Sequence, residues 1–468
     1  MAELALKDTL LISIPESYEQ QLKWIFTWVF DRLSNFTYQL ECTKEKDVIL
    51  SFNGKQLSLP QYFLGKIKDN RLDQECLPKL PLKEWVVDWP ELEDRLVDGH
   101  LPILFGTAGY LQINKREYIL NLDVLGTCFF LLTRYEELIS SIRDKHNRFR
   151  AIDSLAFQAG FVERPLADEY IEVLFALMKK IWPDLDFVHK QGDFQISHDV
   201  DEPGLYAFKS ISGLVKSIIA NVIRGKLKKA VNIFIIRIGS RTRIHRKDPF
   251  NTFEWIMDRV EAAGSKSTFY FLAGRHDKVH DGEYDIDHPA IVELARNLAD
   301  RGHQIGLHPS YLAAENFEIL ANEQLSLESL KEKALVENYS HGARMHYLRW
   351  FGPQTWQQLA SRGIVHDASL GFADHIGFRS GTCHPYLAFD LRDNCIIPIL
   401  VLPLTVMEVT VIDDVYMGLG TGEVAFYRID RIRNACKKVN GVFTLLWHNS
   451  RLVEYSEKKL FQRIIETM

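Results

Sequence analysis

Phe194-Gln195-Ile196-Ser197-His198-Asp199-Val200-Asp201 is the stretch on which the fold turns. Phe194–His198 predicts a strand, with polar residues gathered where it ends. Strand candidates recur at Ser267–Leu272, Gln304–Leu307 and Gly441–Trp447. Helix candidates lie among them at Phe253–Ala263, Ala290–Arg301 and Thr355–Arg362. This alternation predicts an α/β fold with parallel strands and helical crossovers. If the first strand runs on to Asp201, its period of two puts Asp199 and Asp201 on one face. Two carboxylates held together at a strand end need something to neutralise them, a metal or a proton. One could then ligate the metal while the other works as a base.

Three more clusters follow the same logic. In Gly302-His303-Gln304-Ile305-Gly306-Leu307-His308-Pro309, Gly306 and Pro309 bracket His308 at a strand end. There an imidazole can project into a cleft and serve as a neutral ligand. In Arg344-Met345-His346-Tyr347, an extended backbone would put Arg344 and His346 on one face. Arg344 could orient a carboxylate through a charge-assisted contact. His346 could be a ligand or could hydrogen-bond in the core. Leu445-Leu446-Trp447-His448-Asn449 ends an apolar strand with a polar pair, a position suited to a general acid. Taken singly, each cluster reads more simply as structural. His341, His366, His375 and His384 carry no such context. Trp350, Trp356 and Trp447 suit core packing, or stacking on a sugar ring.

Composition narrows the class. The 468 residues are 46% hydrophobic and 25% charged, with a net charge of −6. That excludes a largely disordered chain, a collagen-like fibre and a small disulfide scaffold, and it argues against general nucleic-acid binding. The six cysteines are scattered, with no Cys-x-x-Cys pair, as in a protein of a reducing compartment. Leu10–Ile14 is apolar but has no basic region before it, so no signal peptide is expected. No uncharged apolar run approaches the roughly 18 residues of a spanning helix. The expected location is the cytoplasm.

Pro183–Asp193 is largely polar and sets the expected boundary between residues 1–188 and 189–468. The first unit reads as a smaller α/β or α+β domain. Helices are expected at Gln20–Leu33, Leu122–Ser140 and Ala167–Trp182, and strands at Asp47–Phe52, Ile103–Phe105 and Tyr118–Leu120. Arg134-Tyr135-Glu136-Glu137, followed by Arg143-Asp144 and Arg148, reads as a salt-bridged surface or a seam between domains, with a binding role as the alternative. In the second unit, residues 205–247 contain no Asp or Glu. Leu214, Ile218, Ile219, Val222 and Ile223 recur there at helical spacing among many Lys and Arg residues. Such a segment is either a solvated basic helix pair or a peripheral contact with an anionic membrane, here the inner membrane face.

In order and setting, the clusters resemble the polysaccharide deacetylase family, the NodB-type carbohydrate esterases. Asp199-Val200-Asp201 is similar to its first motif, and Lys266–Phe271 to its second strand. Gly302–His308 resembles the stretch leading into its metal-histidine motif, and Arg344–Tyr347 its Arg-x-Pro-Tyr motif. Asp367–Phe372 and Gly377-Phe378-Arg379 resemble its fourth region, and Leu446-Trp447-His448 its closing Leu-x-His. The resemblance covers roughly residues 190–450. Leu132–Glu137 and Glu163-Arg164-Pro165 resemble an uncharacterised domain that precedes some bacterial members.

The resemblance implies a distorted (β/α) barrel with its site at the carboxyl ends of the strands. It implies Asp199 as general base, Arg344 positioning it, and His448 as the acid for the leaving amine. It implies Asp201 and His308 as ligands of a divalent metal, zinc first. The implied reaction removes acetyl groups from an N-acetylated sugar, nucleotide-sugar or lipid-linked glycan in bacterial surface-polysaccharide synthesis. The family's second histidine ligand falls at Leu312, which cannot bind a metal. Three readings follow: His346 supplies the missing ligand, the site holds metal weakly, or the domain is a catalytically degenerate glycan-binding or assembly protein. Hydrolysis of another C–N bond is a further possibility on related barrels.

Overall fold

Alternating apolar residues open the chain. In Leu10–Pro15 (β1), Leu10, Ile12 and Ile14 are buried. The computed structural model describes residues 9–34, 36–68, 72–337 and 339–467, so the outermost parts of both expected units, 1–8 and 468, lie outside the described residues. Helix α1 (Glu19–Phe30) follows β1, and Tyr38–Thr43 (β2), Val48–Phe52 (β3) and Lys55–Leu59 (β4) extend the sheet. Gly106–Gln112 (β5) and Glu117–Leu122 (β6) complete it in the order β2-β1-β3-β4-β6-β5, with parallel and antiparallel pairs.

The helix expected over Leu122–Ser140 is two helices, α2 (Val124–Leu132) and α3 (Tyr135–Ile139). Arg134 breaks them by adopting a left-handed backbone, with φ of 57°. The break lets its buried guanidinium reach Glu137, 2.7 Å away. The strand expected at Ile103–Phe105 lies earlier, at His100–Ile103. Leu166–Ile181 (α4) is buried along most of its length.

The second sheet carries the functional half. Its strands are Asp193–Val200 (β7), Ser267–Leu272 (β8), Gln304–His308 (β9), Gly342–Ala343 (β10), His366–Asp367 (β11), Tyr386–Asp390 (β12), Cys395–Val401 (β13), Val406–Met407 (β14) and Val442–Leu446 (β15). Their order is β12-β13-β11-β10-β9-β8-β7-β15-β14. Every pair is parallel except β12 with β13. Crossovers include α5 (Ile211–Ile223), α6 (Leu227–Gly239), α7 (Phe253–Ala262), α8 (Pro289–Asp300), α9 (Phe317–Ala334) and α10 (Gly352–Ser361). Helix α8 buries Ile291, Leu294, Ala295 and Leu298, one stripe of a 3.6-residue period. Pro289 starts it and His288 caps it.

The expected barrel is not closed: among the described residues, no pairing joins edge strands β12 and β14. Helix α1 lies over the β12–β13 edge instead, and the Trp24 indole donates to the Leu387 carbonyl at 2.8 Å. The architecture is α/β with two mixed sheets, and one continuous apolar core runs through both. No helix among the described residues is long and apolar enough to cross a membrane.

Candidate functional site

In a parallel sheet, the carboxyl ends of neighbouring strands meet at one edge, and this registry assembles the site. Strand β7 ends at Val200, so Asp199 is its penultimate residue and Asp201 lies in the bend beyond it. The expectation that Asp201 sits within the strand is thereby corrected, yet both carboxylates reach the same cleft. His308 closes β9. The extended backbone expected for Arg344 to His346 is also corrected, because β10 ends at Ala343. His346 opens a tight turn in which Tyr347 and Leu348 take φ values of 60° and 55°. This turn carries the imidazole into the cleft where a straight strand would have carried it past. His448 follows β15 by two residues.

Asp199 is buried and paired with Arg344 at 3.0 Å. The same guanidinium nitrogen donates to Ser197 Oγ at 2.8 Å, and Arg344 Nε donates to the Ala368 carbonyl at 3.0 Å. Three hydrogen bonds therefore fix Arg344, and Arg344 fixes one oxygen of Asp199. The other oxygen lies 3.7 Å from His308 Nε2.

Asp201 is the hub of the cluster. His308 Nε2 lies 3.1 Å from its Oδ1, and His346 Nε2 and His448 Nε2 each lie 3.6 Å from its Oδ2. Ligand atoms of Asp201, His308 and His346 all fall within 4.8 Å of one another. His308 Nδ1 donates to the Arg344 carbonyl, a group that can only accept. That assigns the proton to Nδ1 and leaves a lone pair on Nε2. His346 Nδ1 lies 3.1 Å from Asp281 Oδ1. Asp281 is itself held by the Tyr311, His276 and Asp277 N–H groups. Both histidines thus turn Nε2 inward, the orientation typical of metal-binding imidazoles.

Asp201 Oδ1 and His308 Nε2 are buried and have no hydrogen-bond partner. Buried polar atoms are normally paired, and a carboxylate with two imidazoles is a donor set that suits zinc. On both counts, the residues present fit a divalent ion. Burial opposes charging of His346, but Asp201 and Asp281 outweigh it and lift its pKa to about 9. Burial likewise opposes ionisation of Asp201, and the charge on His346 overcomes it, holding the carboxyl well below the usual range.

His448 is the fourth group. Its Nδ1 lies 2.6 Å from Glu408 Oε1, and that oxygen also accepts from the His448 N–H at 2.9 Å. Burial works against the imidazolium, yet Glu408 and then Asp201 raise its pKa to about 10. Glu408 opens a short helix, α11 (Glu408–Ile412), directly after edge strand β14.

These groups line a cleft of about 480 Å³, with Arg148, Tyr347, Met407, Tyr416 and Arg451 among its walls. Arg148 comes from the first half of the chain and donates to the Tyr347 carbonyl at 3.1 Å. A second cavity, of about 450 Å³ and bounded by Arg143, Glu315 and Arg392 among others, contains none of the cluster.

Asp281 and Glu408 were not singled out in the sequence, whereas Arg148, read there as part of a salt-bridged surface, a domain seam or a binding group, lines the cleft. Glu408 had a faint signal, as an acid inside the apolar run from Val406 to Val411. Trp350, Trp356 and Trp447 are buried and do not line the cleft, so the packing reading holds for all three. His341, His366, His375 and His384 are also outside it. His384 joins Asp168 and Cys383 in a second group with metal-ligand spacing. There, Arg32, Thr382 and the Cys383 N–H already occupy the Asp168 oxygens, and His384 Nε2 lies 3.0 Å from the Val439 carbonyl. Arg379, from the motif-like Gly377-Phe378-Arg379, turns away to Glu137.

Residues 10–183 match the model of a family of unknown function, DUF7033. No curated protein matches the chain. Among solved structures, the chain is similar to a Mycobacterium smegmatis protein described as a polysaccharide deacetylase. The identity is 19% and the TM-score 0.38, over 61% of this chain and 85% of that one. Puue allantoinase is similar at 15% identity and a TM-score of 0.35, over 59% and 83%. A Pseudomonas aeruginosa PAO1 protein, also described as a polysaccharide deacetylase, is similar at 14% and 0.36, over 59% and 84%.

Proposed function

We propose that the chain is a metal-dependent hydrolase that removes acetyl groups from an N-acetylated sugar or glycolipid precursor in bacterial surface-polysaccharide synthesis. One observation carries the reading. Asp201, His308 and His346 converge on a common point beside an arginine-held carboxylate and a glutamate-held histidine, all on one cleft. The choice of an acetylated sugar rests on the order of the sequence motifs.

Asp201, His308 and His346 would hold the ion. Bound there, a divalent ion such as zinc would supply Lewis acidity at the acetyl carbonyl and favour ionisation of water. The protein supplies the proton transfers. Arg344 occupies one oxygen of Asp199, which leaves the other to take the proton of the attacking water. With Nδ1 committed to Glu408, the His448 proton that faces the cleft is on Nε2. A pKa near 10 keeps that imidazolium charged at neutral pH. It can protonate the amine as the C–N bond breaks, so the products are acetate and a free amino sugar. This reading places the activity inside the cell, where the sugar precursors are made. In this reading, His346 takes the role left empty by Leu312.

The test is elemental analysis of protein purified without chelators or a metal-affinity tag, together with acetate release from N-acetylated chito-oligomers. Near-stoichiometric metal, lost in Asp201→Ala and in His346→Ala, is expected. Metal retained in His346→Ala overturns its ligand role. No metal after reconstitution, with sugar binding but no acetate, overturns the hydrolase and favours a glycan-binding relative.

A further inference from the structure

Helices α5 and α6 form a hairpin whose apolar residues face the wrong way for a soluble protein. On α5, Ile211, Val215, Ile219, Val222 and Ile223 are exposed, Ile211 and Ile223 by more than three-quarters (76% and 79%). On α6, Leu227, Val231, Phe234, Ile235 and Ile238 are exposed. Both sets recur at three- and four-residue steps, so each helix keeps one apolar stripe in water. The two helices pack on each other, and Leu214, Ala230, Ile233 and Ile236 are the buried positions. Exposed apolar stripes of this kind on neighbouring helices mark an interaction site.

Charge identifies what covers it. From Pro203 to Lys247 there are eleven Lys and Arg residues and no acid. Arg224, Lys226, Lys228 and Lys229 crowd the turn between the helices, and all are exposed. Arg241, Arg243, Arg246 and Lys247 follow α6, again exposed. Pairing this face with a second copy would bring like charges together, whereas an anionic lipid surface complements both its apolar and its basic residues. Each helix has 13 residues, a length of about 20 Å, against a hydrocarbon core of about 30 Å. The geometry therefore suits lying in the headgroup boundary and not crossing it.

The base of the hairpin is firmly tied. The Asp248 carboxylate accepts from the N–H groups of Leu205, Tyr206 and Ala207 at 2.7–2.9 Å, and Arg237 donates to the Ala207 carbonyl. Tyr284 lies at a tilt against Phe208, ring centres 6.1 Å apart, and donates to the Val200 carbonyl at 2.9 Å, at the end of the strand that carries Asp199. The hairpin thus starts ten residues after Asp201 and is braced against the same loops as the cleft. We propose that the α5–α6 hairpin is a monotopic docking element for anionic bilayers, which holds the cleft at the headgroup layer. The proposal goes beyond the hydrolase reading and does not depend on it.

The test is flotation of the full chain with vesicles of phosphatidylcholine, alone or mixed with phosphatidylglycerol. Binding is expected on the mixed vesicles only, weakened but not abolished by high salt, since the apolar stripes also insert. The exposed triple variant Lys226→Glu/Lys228→Glu/Lys229→Glu should lower binding by at least about tenfold. Val231→Asp/Phe234→Asp/Ile238→Asp should do the same, and both variants should melt as the parent does. Failure to float with either vesicle overturns the proposal, as does equal binding to both. A dimer in solution that the apolar variant dissociates, without vesicle binding, assigns the face to a second copy and also overturns it. The readout needs neither metal nor substrate, so the outcome is separate from that of the hydrolase test.

Discussion

His308, His346 and His448 each commit Nδ1 to a protein oxygen, on Arg344, Asp281 and Glu408 respectively, and turn Nε2 to Asp201. Three imidazoles with the same orientation need not have the same role. His448→Ala should lower turnover by about 10²–10⁴-fold, the usual worth of a general acid, and leave bound metal in place. Asp281→Asn should instead weaken metal affinity by about 10–100-fold, because it supports a ligand. Metal titration beside steady-state kinetics separates the two, and a loss of metal in His448→Ala would contradict the assignment. Asp199, Asp201, His308 and His448 could be found in the sequence because polar groups stand out at the ends of apolar strands, and Arg344 and His346 because they alternate in Arg344-Met345-His346-Tyr347. The roles of Asp281 and Glu408 could not be read there, because the histidines they hold lie 65 and 40 residues away, although Glu408 stood out faintly as an acid in an apolar run.

At the level of elements, the site depends on how closely β8 and β9 approach. A Cβ at Gly306 would lie 2.6 Å from the Tyr270 ring, which is buried and lies 4.6 Å beneath the Arg344 guanidinium. Gly306→Ala should therefore push Tyr270 towards Arg344, at a cost of about 1–3 kcal/mol in stability. Activity should fall further than the melting temperature alone would suggest, because Arg344 holds Asp199. Thermal melts and acetate release measured on the same preparation would check both. Long periodic elements were legible: Ser267–Leu272 is a strand throughout, and α7 and α8 lie within a residue or so of their expected bounds. The turns were not: non-glycine residues rarely take a left-handed backbone, and Tyr347 is met by Arg148 from 199 residues away, while the Glu137 that pairs with Arg134 is itself fixed by the remote Arg379.

Across the whole molecule, Glu137 ties the two halves together. Its oxygens meet Arg134 and Arg379, each at 2.7 Å, in a buried cluster. Burial alone would raise its pKa, but Arg379 and Arg134 dominate and lower it to about 2. A carboxyl with a depressed folded pKa stabilises the fold fully above its unfolded value, near 4.5, and loses that contribution as pH falls towards 2. Glu137→Gln should cost about 3 kcal/mol at neutral pH by stranding two buried arginines. The gap from the parent should narrow below about pH 4.5, as denaturation across pH would reveal. A gap independent of pH would show that the cluster does not carry its charge in the folded state.

The sequence by itself determined the alternation of strands and helices, the parallel order of the functional half, and the residue types at its strand ends. These follow from local periodicity and from the cost of burying polar groups, both written in neighbouring residues. Tertiary structure alone decided three other things. The sheet stays open, because α1 packs over its edge. His346 reaches Asp201 through a turn and not along a strand. The apolar stripes of the basic hairpin point outward, because its helices bury only one narrow face against each other. The first two depend on contacts between residues far apart in the chain; the third depends on how two neighbouring helices pack, in a segment whose basic, amphipathic character the sequence already carried.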